Sequence, residues 1–345
     1  MQLNFRALNL QLVHPWAIAR GRPSTVATTV IAELTAADGT TGIGEAAPTT
    51  RYKESPKSVT AFFGKVDPRG LSFKDIGGSM TYLDTVSPHD MSAKCALNLA
   101  LLDGAAKRAR KPAHEFLGLG FRENSHISSF TIGIDTPEVV RQKVAEAARF
   151  PILKLKMGLA GDRETFQALR EIAPAKPVRV DANEAWKTKE QALEQIEWLA
   201  RDGNVQYVEQ PMPATASVKD WLWLKQRSPL PIFADESYHV VKDLAHVQEC
   251  FHGVNVKLVK TGGLSAGLEA LQAARKAGLK TMIGCMIETS VLISAAAHLA
   301  DLCDYLDLDG SVLIKNDPYE GVSNTAGGLS FVGCAEPYGL QVRAR

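Results

Sequence analysis

The chain has 345 residues, 45% of them hydrophobic and 22% charged, with a formal net charge of +1. This composition suits a large barrel with a smaller unit beside it; it excludes a disordered chain, and so even a balance supplies no field for a polyanion such as nucleic acid. Five scattered cysteines without CxxC spacing, an N-terminus that is not a signal peptide, and no apolar run of about 18 residues point to a cytoplasmic protein with neither disulfides, zinc nor membrane spans.

Residues 1 to about 46 read as antiparallel strands, LNFRALNLQLV and then TVIAELTAADGTTGIGEA, with Asp38-Gly39 as a hairpin turn. From Ser55 to about Leu119 the pattern turns helical, and SAKCALNLALLDGAAKRARK carries small and apolar residues on one face with cations at its C-terminal end. From His126 onward, eight short apolar runs alternate with seven helix-like segments: ISSFTIGI, ILKLKM, PVRVDA, VQYVEQ, PIFADE, VNVKLV, KTMIGC and YLDLDG. That alternation predicts an α/β fold, a (β/α)7β TIM-like barrel, with an N-terminal α+β capping domain. The expected units are 1–125 for the cap, 126–320 for the barrel, and a Gly-rich, strand-like segment 321–345 that returns to the cap.

A barrel of this kind carries its active site at the C-terminal ends of its strands. Those ends hold Lys154 and Lys156, Asp181 and Asn183, Glu209, Asp235 and Glu236, Lys257, and Asp307 and Asp309. Side chains two apart share a face of a strand, so each K-x-K, D-x-N and D-x-D pair directs both groups inward. Asp181, Glu209 and Asp235, from consecutive strands, then converge, and partly buried carboxylates that repel one another call for a hard cation. An all-oxygen set without Cys or His suits Mg²⁺. Lys156 and Lys257 stand on strands at opposite sides of that set. His239 is the one histidine near the site and reads as structural. GGLSAG at 262–267 is ordinary loop chemistry rather than a phosphate cradle.

These residues resemble, over nearly the whole chain, the enolase superfamily and within it the muconate-lactonizing-enzyme-like subgroup that contains the dipeptide epimerases. The resemblance implies that Asp181, Glu209 and Asp235 are metal ligands, with Asn183 and Glu236 just behind them. It implies that Lys156 and Lys257 are the acid/base pair, with Lys154 beside the substrate; Lys260 matches no catalytic position. The D-x-D of Asp307 and Asp309 looks like the element by which dipeptide epimerases hold the substrate's ammonium. PWAIARG and TTRYKES look like the loops with which L-Ala-D/L-Glu epimerases cover their substrate, and Arg20 and Arg51 are the cations there that would meet a carboxylate.

The expected activity is Mg²⁺-dependent epimerisation of a dipeptide, with L-Ala-D/L-Glu of murein peptide metabolism foremost and a hydrophobic or cationic dipeptide as the alternative. The partner is a small molecule, and homo-oligomerisation stays open. A cycloisomerase or o-succinylbenzoate synthase would use the same metal and lysines but has no evident use for the paired Asp of the eighth strand. A Schiff-base aldolase would need no metal. A binding protein would have no reason to hold lysines on both sides of a carboxylate cluster.

Overall fold

The computed structural model describes residues 1–19 and 23–345, so the expectation placed on Arg20 lies outside the described residues. The cap begins with an antiparallel meander of β1 (Gln2–Trp16), β2 (Ser24–Thr35) and β3 (Thr41–Ala46). Asp38-Gly39 makes the β2–β3 turn as expected: the Asp38 carboxylate accepts from Thr40 N at 3.0 Å, and Gly39 takes the positive φ of 83° that the tight connection requires. Helices α1 (Pro56–Phe63), α2 (Ile76–Val86), α3 (Met91–Arg108) and the short α4 (Ala113–Phe116) follow.

α3 is the axis of the molecule. The sequence pattern predicts one apolar face, but every residue from Ser92 to Ala106 is buried. Ala96, Leu97, Ala100 and Leu101 enter a core shared with β2, α1 and α2. Cys95, Leu99 and Leu102 enter the barrel's core. The helix has no solvent face because it fills the seam between the two. Its small residues let the backbones close in: a Cβ on Gly42 or Gly44 of β3 would stand 1.9 Å from the carbonyl oxygen of Ala100 or Ala96.

Eight parallel strands form the second layer: β4 (Phe130–Ile132), β5 (Leu153–Lys156), β6 (Val178–Asp181), β7 (Val205–Glu209), β8 (Ile232–Ala234), β9 (Gly253–Val256), β10 (Lys280–Gly284) and β11 (Tyr305–Asp307). Each pairs with its neighbours in chain order. Ser129 N donates to Leu306 O at 3.1 Å, and the Ser128–Leu306 bridge closes the ring. Seven helical connections join the strands. The sixth contains two helices, a single turn α10 (Leu258–Thr261) and then α11 (Leu264–Lys276). α12 (Ser290–Ala297) precedes the last strand.

The floor of the barrel is aromatic, with Tyr207, Phe233, Met282 and Tyr305 packed together and the Arg179 guanidinium over the Tyr305 ring at 5.1 Å. Two residues further along the same strands, on the same face, come Glu209, Asp235, Asp307 and Asp181. The apolar layer fixes the height at which the carboxylates stand.

The cap is tied to the barrel by buried polar bonds as well as by packing. Glu45 of β3 accepts from Thr289 N, Thr289 Oγ1 and Leu292 N at 3.0, 2.7 and 3.2 Å, capping the first turn of α12. Burial pushes its carboxyl up to about 7. The C-terminal segment folds back as the sequence suggests: Leu340 N donates to Asp103 of α3 at 2.8 Å, Ala113 N to Gly339 O at 2.7 Å, and Arg343–Ala344 pair with Tyr319–Glu320.

The contact between β3 and α3 is backbone against backbone, so no rotamer change can relieve it. Gly44→Ala is therefore expected to lower the unfolding free energy by about 1–3 kcal/mol or more. Gly64→Ala, at a φ of −65° with its nearest neighbour 3.6 Å from the new Cβ, should be neutral or slightly stabilising. Urea midpoints of the two variants check this, and equal midpoints would show that the two layers are not in close contact.

Candidate active site

A cavity of about 560 Å³ lies between the cap and the C-terminal ends of the barrel strands. The cap supplies Trp16, Ile18, Ala27, Thr28 and the stretch 47–52; the barrel supplies Lys154, Lys156, Asn183, Asp235, Glu236, Lys257, Asp307 and Asp309. Most of the residues singled out in the sequence thus converge. Glu209 lies at the cavity's base, fully buried.

Asp181 and Glu209 end their strands, whereas Asp235 sits one residue past β8 and Lys257 one past β9. Carboxylate oxygens of Asp181, Glu209 and Asp235 lie within 4.8 Å of one another, all buried. Asn255 Nδ2 donates to Glu209 at 2.7 Å and Asn183 N to Asp181 at 2.9 Å, so two of the three carboxylates are also held by neutral donors. Burial and then the charge of Asp181 push Glu209 up to about 7, whereas their lysines hold Asp181 and Asp235 below the usual carboxylate range. Oxygen-only donors at this spacing fit a hard divalent cation.

Four lysines enter the cluster. Lys154 Nζ lies 2.6 Å from Glu209, 2.7 Å from Asp307 and 3.2 Å from Asp181. Lys156 Nζ bonds Asp181 at 2.6 Å, and Lys257 Nζ bonds Asp235 at 2.8 Å. Second and sixth strands of an eight-stranded ring face each other, so Lys156 and Lys257 flank the carboxylates from opposite walls. Burial alone would lower the Lys257 pKa, but Asp235 and Glu209 outweigh it and hold the ammonium well above its ordinary range.

The fourth lysine is one the sequence reading set aside. Lys260 is buried and donates to Asp235 Oδ1 and to its backbone carbonyl, both at 2.6 Å. Reading VNVKLV as one strand hid it: the strand stops at Val256, and the single turn α10 brings residue 260 back over the end of β8. Asn255, two residues before Lys257 on one strand face, was open to the same alternation argument.

The eighth-strand pair divides. Asp307 is bonded by Lys154 and by Ser129 Oγ at 2.9 Å, and despite burial its pKa falls because of that ammonium. Asp309 lies two residues beyond β11 and accepts from Thr131 N at 2.6 Å. No lysine or arginine of the described residues lies within 4.0 Å of it. Burial and the charge of Asp307 push its carboxyl up to about 6.

From the cap, Tyr52 reaches over Lys257 and Asp235; burial and then the Asp235 charge raise its pKa, so it stays neutral. Its ring meets His239 edge-on at 5.1 Å. Arg51 also lines the cavity, and its guanidinium bonds Glu184 in bidentate fashion at 2.9 and 3.0 Å. Glu184 follows no strand alternation or motif that would single it out in the sequence.

Two family models match the chain: the enolase C-terminal domain-like family over residues 138–313, and the mandelate racemase / muconate lactonizing enzyme N-terminal domain over 4–118. An L-Ala-D/L-amino acid epimerase of Pedosphaera parvula is 58% identical over the full length of both chains. An L-Ala-D/L-Glu epimerase of Bacteroides thetaiotaomicron is 38% identical over 96% of this chain and 85% of that one. Among solved structures, the substrate-liganded L-Ala-D/L-Glu epimerase of Bacillus subtilis superposes with a TM-score of 0.92 at 26% identity, covering 100% of this chain and 98% of that one. A dipeptide epimerase of Enterococcus faecalis, complexed with Mg and L-Leu-L-Tyr, gives 0.89 at 30% identity, with coverage of 100% and 99%. On both halves of its length, and through relatives that match it from end to end, the chain belongs to the enolase superfamily, in its mandelate racemase / muconate lactonizing enzyme family.

Proposed function

We propose that the chain is an Mg²⁺-dependent dipeptide epimerase that removes and returns the proton alpha to the substrate's C-terminal carboxylate. L-Ala-D/L-Glu is the foremost substrate, and other L-Ala dipeptides follow. The observation that carries this reading is the pair Lys156 and Lys257, bonded to different carboxylates of one cluster from opposite walls of the barrel. One lysine takes the proton from one face of the carbon and the other delivers a proton to the opposite face, which inverts the centre. A bound Mg²⁺ held by Asp181, Glu209 and Asp235 supplies positive charge where the enediolate's negative charge develops. Asp309, without a cation among the described residues, is the anchor for the substrate's ammonium, while Asp307 holds Lys154. A cycloisomerase or o-succinylbenzoate synthase has no evident use for that anchor. The relatives' names support the dipeptide as well.

The units 1–125, 126–320 and 321–345 are our division of the chain into cap, barrel and returning segment. A cytoplasmic location belongs to the same proposal; no helix of the described residues is long and apolar enough to cross a membrane.

Asp181→Asn, Glu209→Gln and Asp235→Asn should each weaken Mg²⁺ binding in calorimetry and abolish turnover, and EDTA should do the same to the parent. Undiminished Mg²⁺ affinity in all three would remove the ligand assignment.

Lys156→Ala and Lys257→Ala should each stop epimerisation yet exchange the alpha proton of opposite epimers in D₂O with retention, as followed by proton NMR. If both variants exchanged the same epimer, a single base would have to serve both faces.

Asp309 binds an ammonium only when ionised, so its raised pKa sets the sign of the pH effect. Dipeptide affinity should be full above about 6 and fall as pH drops through that value, by up to roughly tenfold per unit. Asp309→Asn should bind weakly at every pH, without that acid limb, and N-acetylated dipeptide should behave likewise on the parent. An acid limb that survives in Asp309→Asn would assign the anchor elsewhere.

A further inference from the structure

Arg51 is the one cation that the cap contributes to the cavity lining among the described residues, and it does not stand alone there. Its Nε and Nη2 donate to the two carboxylate oxygens of Glu184 at 3.0 and 2.9 Å. The Glu184 side chain is only 8% exposed, while that of Arg51 is 38% exposed. A guanidinium has a second donor edge formed by Nη1 and Nη2, and no bond from Nη1 to a described residue occupies it. Arg51 is thus a half-used fork, fixed by one edge and able to take a second carboxylate on the other.

Glu184 is placed for this contact at a backbone cost. Asn183 and Glu184 both take left-handed conformations, with φ of 43° and 66°, directly after the β6 segment that ends in Asp181. Two such residues in succession that are not glycine are strained, and strain of this kind gathers at functional sites. The turn is held by Glu184 N donating to Gln210 O at 2.8 Å and by Lys187 Nζ donating to Glu184 O at 2.9 Å. Ala214 N donates to the carboxylate itself at 2.8 Å. One carboxylate therefore joins the connection after β6, the connection after β7 and the cap's 49–53 loop. Its joint with the cap loop is Arg51, whose side chain lines the substrate cavity.

We propose that Glu184 is a specificity-determining residue that sets, through Arg51, how strongly the site prefers an acidic second residue of the dipeptide. The proposal rests on the dipeptide reading above and names the part of that site which reads the second side chain. An acidic side chain gains a charge-assisted bond at the open edge of Arg51 and also meets the negative charge of Glu184 across the same guanidinium. A neutral side chain gains no charge-assisted bond at that edge and meets no such repulsion. The preference is therefore graded, and the site admits both.

The test is the ratio of kcat/KM for L-Ala-L-Glu to that for L-Ala-L-Gln. Glu184→Gln retains an acceptor for Ala214 N and Arg51 but removes the opposing charge. It should raise the ratio by roughly tenfold, mainly through KM for L-Ala-L-Glu. Arg51→Gln leaves the Glu184 charge unopposed by that guanidinium and should push the ratio below that of the parent. An unchanged ratio in a Glu184→Gln protein that still turns over L-Ala-L-Gln overturns the proposal. Should Glu184→Gln be inactive on both dipeptides, an unchanged ratio in Arg51→Gln overturns it equally, and a lowered ratio supports it. A parent enzyme that exchanges no dipeptide proton in D₂O would instead defeat the functional reading itself.

Discussion

Four ammonium groups and four carboxylates in mutual contact fill the mouth of the barrel: Lys154, Lys156, Lys257 and Lys260 against Asp181, Glu209, Asp235 and Asp307. Removing Asp235 would leave Lys257 and Lys260 buried without a carboxylate, and removing Asp181 would do the same to Lys156, which is far costlier than any exposed ion pair is worth. The fold meets this demand by giving each charge a strand end or a one-turn helix to stand on, above a floor of aromatic rings. The balance also bears on chemistry. A doubly charged cation held among the carboxylates would leave two ammonium charges in surplus, and on the proposed function a lysine relieved of its proton there would be the base. Lys154 and Lys260 each hold two or more oxygens, whereas Lys156 and Lys257 each hold one and border the cavity.

Around that cluster the molecule is arranged in two tiers of constraint. The strand ends set the height of the carboxylates and lysines, and the connections after β6 and β7 carry the positive-φ residues Asn183, Glu184 and Gln210. The cap then covers the cluster from above. Tyr52 and Arg51, adjacent in sequence, both line the cavity: the first lies near enough to feel the charges of Asp235 and Lys257, and the second is bound to Glu184.

Most of the site was legible because a strand's alternation is simple. K-x-K at 154–156 and the inward placement of Asp181, Glu209 and Asp235 follow from a period of two, and the spacing of eight strand signals gives the barrel. The period fails where strands end. Lys260 follows a helical turn that apolar residues in VNVKLV do not betray, and Asp309 lies beyond its strand, so its environment differs from that of Asp307. Glu184 was invisible because its role arises from two unusual backbone conformations and from a partner 133 residues away. α3 was read as having one apolar face, since a helix buried on both faces and one buried on a single face look alike when its polar residues, such as Asn98 and Asp103, have partners inside.

The burial of α3 has a bearing on how a substrate reaches the cluster. The helix belongs at once to the core beneath the cap's sheet and to that of the barrel, and Glu45 adds a capping bond across the same boundary. A hinge that swung the cap away would have to break both cores and expose α3 along its length. The cap is thus a fixed wall rather than a door. Admission and release therefore have to be arranged at the rim of the barrel, without parting the two cores that share α3.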